Sequence, residues 1–234
     1  MKIKEQDALY YISMNISGID YLGLDRVIKR GTGEIIVNEE HALFIRDTVS
    51  GAYFLACDDL ERSIALLDQY DCPLLMTTDY DIGLEVFKRY GFTEKIECYQ
   101  VAYYGEKPIM DNRLSFKTAD EQDLPFLTEN YHMISPEEME EAVNRKLIDL
   151  GYDDGKTVGF IGEHLEGSMG ILYVLPEYRQ KGYGTALQTH LIAKTIDKGY
   201  IPFGQVEKSN TNSLKLQKKI GMTQSEHLTV WMWK

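Results

Sequence analysis

Short apolar or alternating runs, split by Asn, Asp and Gly, organise the first hundred residues. Glu34-Ile35-Ile36-Val37, His41-Ala42-Leu43-Phe44-Ile45 and Ala52-Tyr53-Phe54-Leu55 predict successive strands of a meander. A helical pattern from Ile19 to Lys29 precedes them and ends near Gly31. Asp58-Asp59-Leu60-Glu61 opens a second helix, to about Tyr70, with acids where the helix dipole favours them. Leu74-Leu75-Met76 predicts a strand, and Leu84 to Tyr90 a helix closed by Gly91. Two more strands are expected, around Ile96 and over Val101 to Tyr104, before the connection that starts at Lys107-Pro108.

The rest of the chain follows a similar order. A strand at Leu114-Ser115-Phe116 leads to Thr118, an expected N-cap with Glu121 three residues on, and a helix to about Tyr131. Ser135-Pro136-Glu137-Glu138 starts another helix, expected to run to Gly151. Strands over Thr157 to His164 and Met169 to Val174 are joined by a Leu165-Glu166-Gly167 turn. A helix with Leu187 and Leu191 on one face ends at Lys198-Gly199, and His190 is expected on a solvent face. A strand over Pro202 to Val206, a helix from Ser213 to Ile220 with Gly221 as its cap, and a strand around Leu228 to Trp233 complete the chain.

A shift of 130 positions lays Tyr70 on Tyr200, Leu84 on Leu214, Lys88 on Lys218, Gly91 on Gly221 and Thr93 on Thr223. The matches agree in order with the predicted elements, so the chain reads as two related domains, 1–110 and 111–234. A single domain with an unrelated N-terminal extension is the alternative.

Charge and cysteines narrow the function classes. The net charge is −12. Residues 1–112 hold 11 Lys+Arg against 20 Asp+Glu, and the remainder 14 against 17, so the acid excess lies mostly in the first part. This balance argues against nucleic acid or an anionic membrane as a partner and suits a cationic amine. The three cysteines, Cys57, Cys72 and Cys98, read as small buried hydrophobes. Their odd number, the start MKIKEQD and the lack of a long apolar stretch point to a cytoplasmic protein with reduced thiols. Asn15-Ile16-Ser17 is then an idle glycosylation pattern. No His/Cys spacing suits a metal, and Gly155-Lys156-Thr157 lacks the earlier glycine and the strand-to-helix order of a nucleotide P-loop.

The richest stretch is Ile171 to Leu191. An apolar strand meets Pro176, then Arg179-Gln180-Lys181-Gly182-Tyr183-Gly184, then a helix. The first amides of a helix lack partners inside it and carry partial positive charge, which makes an anion site. Gly182 and Gly184 remove Cβ atoms, and Arg179 and Lys181 add full charges. An ordinary strand–turn–helix connection would carry the same letters.

With Val174, Pro176, Arg179, Gly182 and Gly184, this stretch resembles the acyl-CoA-binding motif of the GNAT superfamily of N-acyltransferases. Asn210 to Met222, with Asn210, Ser213, Lys219 and Gly221, is similar to the second signature of that superfamily. The likeness runs from about Arg113 to the end of the chain. It implies an α/β fold with a mixed, mostly antiparallel sheet flanked by helices, here expected twice, the first copy without the motif.

It also implies that acetyl-CoA is the co-substrate, held by Leu172, Tyr173 and Val174, by Arg179 through Thr185, and by Asn210, Ser213 and Gln217. The turn amides hold the pyrophosphate, and the strand backbone pairs with pantetheine. No metal is needed. Many members carry a Tyr at the position of Gln217, and a glutamine cannot protonate a departing thiolate; Tyr173 and Tyr183 are other candidates for that task.

Attack on a thioester needs a neutral amine, hence a general base, and a donor for the carbonyl oxygen. The donor is expected to be the backbone N–H of Val174 or a neighbour. Base candidates are Glu163 and His164 in Gly162-Glu163-His164-Leu165-Glu166-Gly167-Ser168, a segment similar to a bacterial subgroup akin to glycine N-acyltransferases, and Glu207. Tyr173 completes the catalytic set. Tyr131 and His132 fall where the family builds its acceptor site. The expected reaction is transfer of an acetyl group to a small-molecule primary amine or amino acid. The alternatives are a binding module without turnover and an amino-acid acyltransferase using a larger acyl-CoA. The sequence assigns no oligomeric state.

Overall fold

The computed structural model describes residues 18–234; MKIKEQD and Asn15-Ile16-Ser17 lie outside them. The first alternating runs form an antiparallel meander of β1 (Gly33–Glu39), β2 (Ala42–Asp47) and β3 (Tyr53–Cys57), preceded by α1 (Leu22–Lys29). The alternation sorts the side chains onto two faces. Phe44, Leu55 and Leu75 join Leu66, Leu67 and Val86 in one core. Leu43, Ile45, Phe54 and Met76 join Leu24 and Val27 in the other. The sheet is thus covered on one side by α1 and on the other by α2 (Leu60–Leu67) and α3 (Tyr80–Arg89).

Caps fix where these helices begin. The Asp59 carboxylate accepts from the Arg62 amide at 2.7 Å, and that of Asp79 from the Ile82 amide at 2.9 Å, so α3 starts before the predicted Leu84. β4 (Leu74–Thr77) runs parallel to β3. β5 (Glu94–Ala102) is one strand where two are predicted, because no Gly, Pro or Asn interrupts it.

The second meander, β6 (Leu114–Thr118), β7 (Ile148–Asp153), β8 (Lys156–Glu163) and β9 (Met169–Val174), is a separate antiparallel sheet in that order. A 3-10 turn capped by Asp120, not by the predicted Thr118, leads into α4 (Leu124–Asn130). Thr118 instead ends β6 and donates to Asp149 Oδ1 at 2.8 Å. α5 (Pro136–Asn144) begins as predicted, with Ser135 Oγ accepting from the Glu138 amide at 3.1 Å. It stops at Asn144 rather than Gly151. Lys146 takes φ 59°, and the next residues become β7, paired on both sides. Asp154 and Gly155, both at positive φ, make the two-residue hairpin between β7 and β8.

α6 (Tyr183–Asp197) buries Leu187 and Leu191, and a Leu187 methyl occupies the space left by the missing side chain of Gly151. His190, expected in solvent, faces inward with Asp149 as its partner at 2.9 Å. The remaining elements are β10 (Phe203–Glu207), α7 (Thr211–Ile220) and β11 (Thr223–Trp233).

The strands of the last part do not complete the second sheet. The seven-stranded sheet has the order β1-β2-β3-β4-β11-β5-β10, and β11 lies antiparallel to β4. The described residues form two compact units: one up to Val101 together with Gln205–Thr211 and Gln224–Lys234, the other Ala102–Gly204 with Asn212–Thr223. A cut after residue 110, as the repeat suggests, does not follow this division.

Candidate functional site

The site is built on β9 and α6 of the second unit. β9 is the outermost strand of its sheet, so its outer backbone groups have no strand partner there. Leu172, Tyr173 and Val174 are half-buried along it. After Leu175, Pro176 to Tyr178 make a 3-10 turn, and Gln180 (φ 61°) and Gly182 (φ 88°) carry the chain back into α6. Gly182 is the N-cap and supplies no side-chain hydrogen bond. The amides of Tyr183, Gly184 and Thr185 thus open a 15-residue helix without a side-chain cap. A dipole of that length places about half a positive charge at this end.

Space and charge at the turn suit an anion. A Cβ on Gly182 would meet only Arg113 Nη2, at 3.5 Å, and one on Gly184 only methyl groups of Leu216 and Val174, at 3.8 Å. The Arg179 and Lys181 side chains are exposed, and Arg179 Nε donates to the Val174 carbonyl at 3.0 Å while its guanidinium lies 5.5 Å from the Tyr173 ring centre. Arg113 is a residue that sequence reasoning missed, 69 positions before Gly182. It lies 5.4 Å from the Tyr183 ring centre and is held by Asp111, with Nη2 at 2.6 Å from Oδ2. These residues fit a diphosphate: bare amides, two glycines with room beside them, and three cations.

Tyr183 is tied down rather than free to act. Its hydroxyl donates to the Asp153 carboxylate, which raises its pKa. On α7, Gln217 is the single buried residue, and its Oε1 has no hydrogen-bond partner among the described residues. Ser213, one turn earlier, shares its face.

The base candidates separate. Glu163 is buried and faces α6, accepting from Thr195 Oγ1 at 3.2 Å, with Lys198 Nζ at 3.5 Å. Those partners lie about 20 Å along the helix from Gly182. Glu207 and Asn210 belong to the first unit. The Glu207 carboxylate accepts from the Ser209 hydroxyl at 2.7 Å, and its carbonyl from the Asn210 amide at 2.9 Å.

His164 and Tyr173 lie at β9. Tyr173 stacks on Phe160 with 5.5 Å between ring centres, and Phe160 meets Phe126 and Tyr131 edge-on. The Tyr131 hydroxyl donates to the Gly170 carbonyl at 3.1 Å, and burial, then Glu138, pushes its pKa to about 12. His132, its neighbour, is exposed. His164 Nδ1 lies 3.6 Å from Glu138 Oε1. Burial opposes charge on the ring, but Glu138 and Glu166 outweigh it and raise its pKa. Glu138, Glu166 and Ser168, which donates to Glu166, are further polar groups here that the sequence did not single out.

All three cysteines are buried and free, and burial pushes the Cys72 and Cys98 thiols to about 12, which keeps both protonated. Among the described residues no group of His, Cys, Asp and Glu is arranged to hold a metal, and no helix is long and apolar enough to cross a membrane.

A family model described as FR47-like protein matches residues 150–232. No curated protein sequence matches the chain. Among solved structures, a Drosophila protein is similar over 99% of this chain and 95% of its own, at 16% identity and a TM-score of 0.73. A GCN5-related N-acetyltransferase-like protein from Streptococcus suis is similar over 100% of both chains, at 14% identity and a TM-score of 0.60. A GNAT-family acetyltransferase from Novosphingobium aromaticivorans is similar over 87% of this chain and 91% of its own, at 17% identity and a TM-score of 0.54. The fold is that of GNAT acetyltransferases: mixed α/β, with seven α-helices among the described residues and two sheets.

Proposed function

We propose that this protein is an N-acyltransferase that moves an acyl group, acetyl in the first instance, from a coenzyme A thioester to a primary amine by direct attack. The observation that carries the reading is the uncapped start of α6 at Gly182, flanked by Arg113, Arg179 and Lys181 beside the edge strand β9. The amides of Tyr183, Gly184 and Thr185 would hold the diphosphate, and the three cations would neutralise it. The backbone of Leu172 to Val174 would pair with the amides of the pantetheine arm, and an N–H at the end of β9 would face the acyl oxygen as charge develops there. When bound, the acyl-CoA supplies a carbonyl carbon open to attack.

The residues of the chain have two further tasks. One is to take a proton from the acceptor ammonium so that its lone pair is available. The other is to exclude water, for which the packed rings of Phe126, Tyr131, Phe160 and Tyr173 are suited. Gln217 has no acidic proton to give. A thiolate of pKa about 8.5 departs at neutral pH without a protein acid.

Acetyl-CoA added to the protein in a calorimeter should bind, and a panel of primary amines and amino acids should then accelerate thiol release. Binding without acceleration by any amine would favour a second reading, an acyl-CoA-binding module without turnover. The Gln217 side chain motivates that second reading, since an acid is missing where many GNAT members have one. Faster release with longer or aryl acyl-CoA and an amino acid would instead favour an amino-acid N-acyltransferase.

A further inference from the structure

Resting on the acyl-transfer reading above, we propose that His164 is the general base that deprotonates the acceptor amine, and that Glu138 is the positioning residue that orients it. His164 directly follows β8, at the start of the hairpin that leads into β9. Its backbone amide donates to the Ser168 carbonyl at 2.8 Å, and its carbonyl accepts from the Gly167 amide at 2.8 Å. Gly167, at φ 98°, closes this tight loop. The loop fixes the side chain relative to the strand on which the reading lays the acyl arm.

The ring itself lies against that strand. A Cβ on Gly170 would come within 2.4 Å of His164 Nε2 and 2.6 Å of Cδ2. The imidazole therefore uses the space that a side chain at 170 would fill. Gly170 is two residues from Leu172, about 7 Å along β9. Nε2 has no hydrogen-bond partner among the described residues, and 24% of the side chain remains exposed. On the other edge of the ring, Nδ1 faces Glu138 Oε1 at 3.6 Å. That is an ion-pair distance rather than a closed hydrogen bond, and such contacts tighten when substrate is bound. A proton held on Nδ1 by Glu138 leaves the lone pair on Nε2, at the β9 side of the ring.

The other candidates are committed elsewhere. Glu163 faces Thr195 on α6 and Lys198 at its C-cap, Glu207 receives the Ser209 hydroxyl, and Tyr183 donates to Asp153. The charged and titratable groups around the ring are Glu138 from α5, Glu166 in the hairpin and the Tyr131 hydroxyl on the Gly170 carbonyl. The two carboxylates outweigh the burial, which strengthens His164 as a base.

The step balances as follows. An N–H bond of the acceptor ammonium breaks and its proton moves to Nε2, leaving its electron pair on nitrogen. That pair forms the C–N bond, while the C–S bond breaks and its electrons stay on sulfur. The nitrogen, cationic after attack, gives up a second proton, which ends on the thiolate sulfur and makes the free thiol. Nε2 then releases the first proton to solvent.

The full-length chain allows two independent readouts. In proton–nitrogen spectra of the imidazoles, His164 should titrate above the ordinary histidine value, and Glu138→Gln should lower that titration. In thiol release with the best amine of the panel, His164→Gln and His164→Ala should lose about 100-fold to 10,000-fold in kcat/KM while binding acetyl-CoA as the wild type does. Glu138→Gln should move the acidic limb of the kcat/KM profile to lower pH, and Glu138→Asp should move it back. If both His164 variants, folded by circular dichroism, keep wild-type kcat/KM across pH, the base assignment falls and the acyl-transfer reading stands. If Glu138→Gln changes neither the titration nor the limb, its positioning role falls. A wild-type protein that binds acetyl-CoA and acylates no amine overturns the catalytic reading itself, and the base with it.

Discussion

The rings of Phe116 and His190 lie flat on one another, with 3.6 Å between their centres and 5° between their planes. The stack directs His190 Nε2 toward Asp149 Oδ2 at 2.9 Å, and Lys194 Nζ reaches the same oxygen at 2.6 Å. α6 is thereby pinned to β6 and β7 by a polar contact as well as by Leu187 and Leu191.

Asp149 should be a large contributor to stability. Burial opposes its charge, but His190, Lys194 and Thr118 outweigh burial and hold its carboxyl well below the usual carboxylate range. Asp149→Ala leaves three partners, His190, Lys194 and Thr118, unmatched around a buried position and should cost about 3 kcal/mol, read from urea unfolding at neutral pH. A depressed folded pKa means that the stabilisation is present above the unfolded value, about 3.9, and is lost as pH falls through the folded value. The gap between wild type and Asp149→Asn should therefore narrow steadily in melts taken below about pH 4.

Gly182→Val and Gly184→Val should separate binding from folding. At Gly182 the backbone is left-handed, so valine adds strain of roughly 1–3 kcal/mol and places methyl groups near Arg113. Gly184 lacks a positive φ, so valine there should lower the melting temperature less. Both changes should weaken acetyl-CoA binding at least tenfold by calorimetry, because each puts carbon where a phosphate must approach. Unchanged affinity in both variants would remove the anion role of this turn.

The three cations should leave a salt signature. Binding of coenzyme A should weaken as salt rises from about 50 to 300 mM, since exposed charges are screened within about 10 Å at 0.1 M. Lys181→Gln and Arg113→Gln should each lower affinity about threefold to tenfold and flatten that dependence. Pantetheine, which carries no phosphate, should bind both variants like the wild type.

Gln217→Met should raise the melting temperature. A buried amide oxygen without a donor costs about 1–3 kcal/mol, and methionine fills similar space without that oxygen. The rate of thiol release should stay within a few fold of wild type if glutamine has no part in proton transfer. A loss of a hundredfold would give this side chain a role in the reaction.

Local signals carried much of the fold. Ser135-Pro136, the cysteine burial and the strand–turn–helix around Gly182 were all legible, because caps, apolar runs and glycine spacing act over a few residues. The pattern of β7 suits the tail of a helix although Asp154-Gly155 marks a hairpin, since Ile148 and Leu150 fit either period. The partners that define the site were not legible. Arg113 reaches Gly182 across 69 positions and Glu138 faces His164 across 26, distances at which only tertiary packing decides. The inward place of His190 is hidden for the same reason, since an aspartate on another element turns a polar residue inward.

The place of β11 between β4 and β5 constrains how the chain can be made. A ribosome that has released the first hundred residues has delivered two strands that are not each other's neighbours, with a vacant slot between them. The segment that fills it, Thr223–Trp233, emerges more than a hundred residues after β5, once the whole second sheet has been made. Closure of the larger sheet must therefore wait for that segment, which makes folding dependent on long-range pairing and leaves β4 and β5 open to chaperones in the interval.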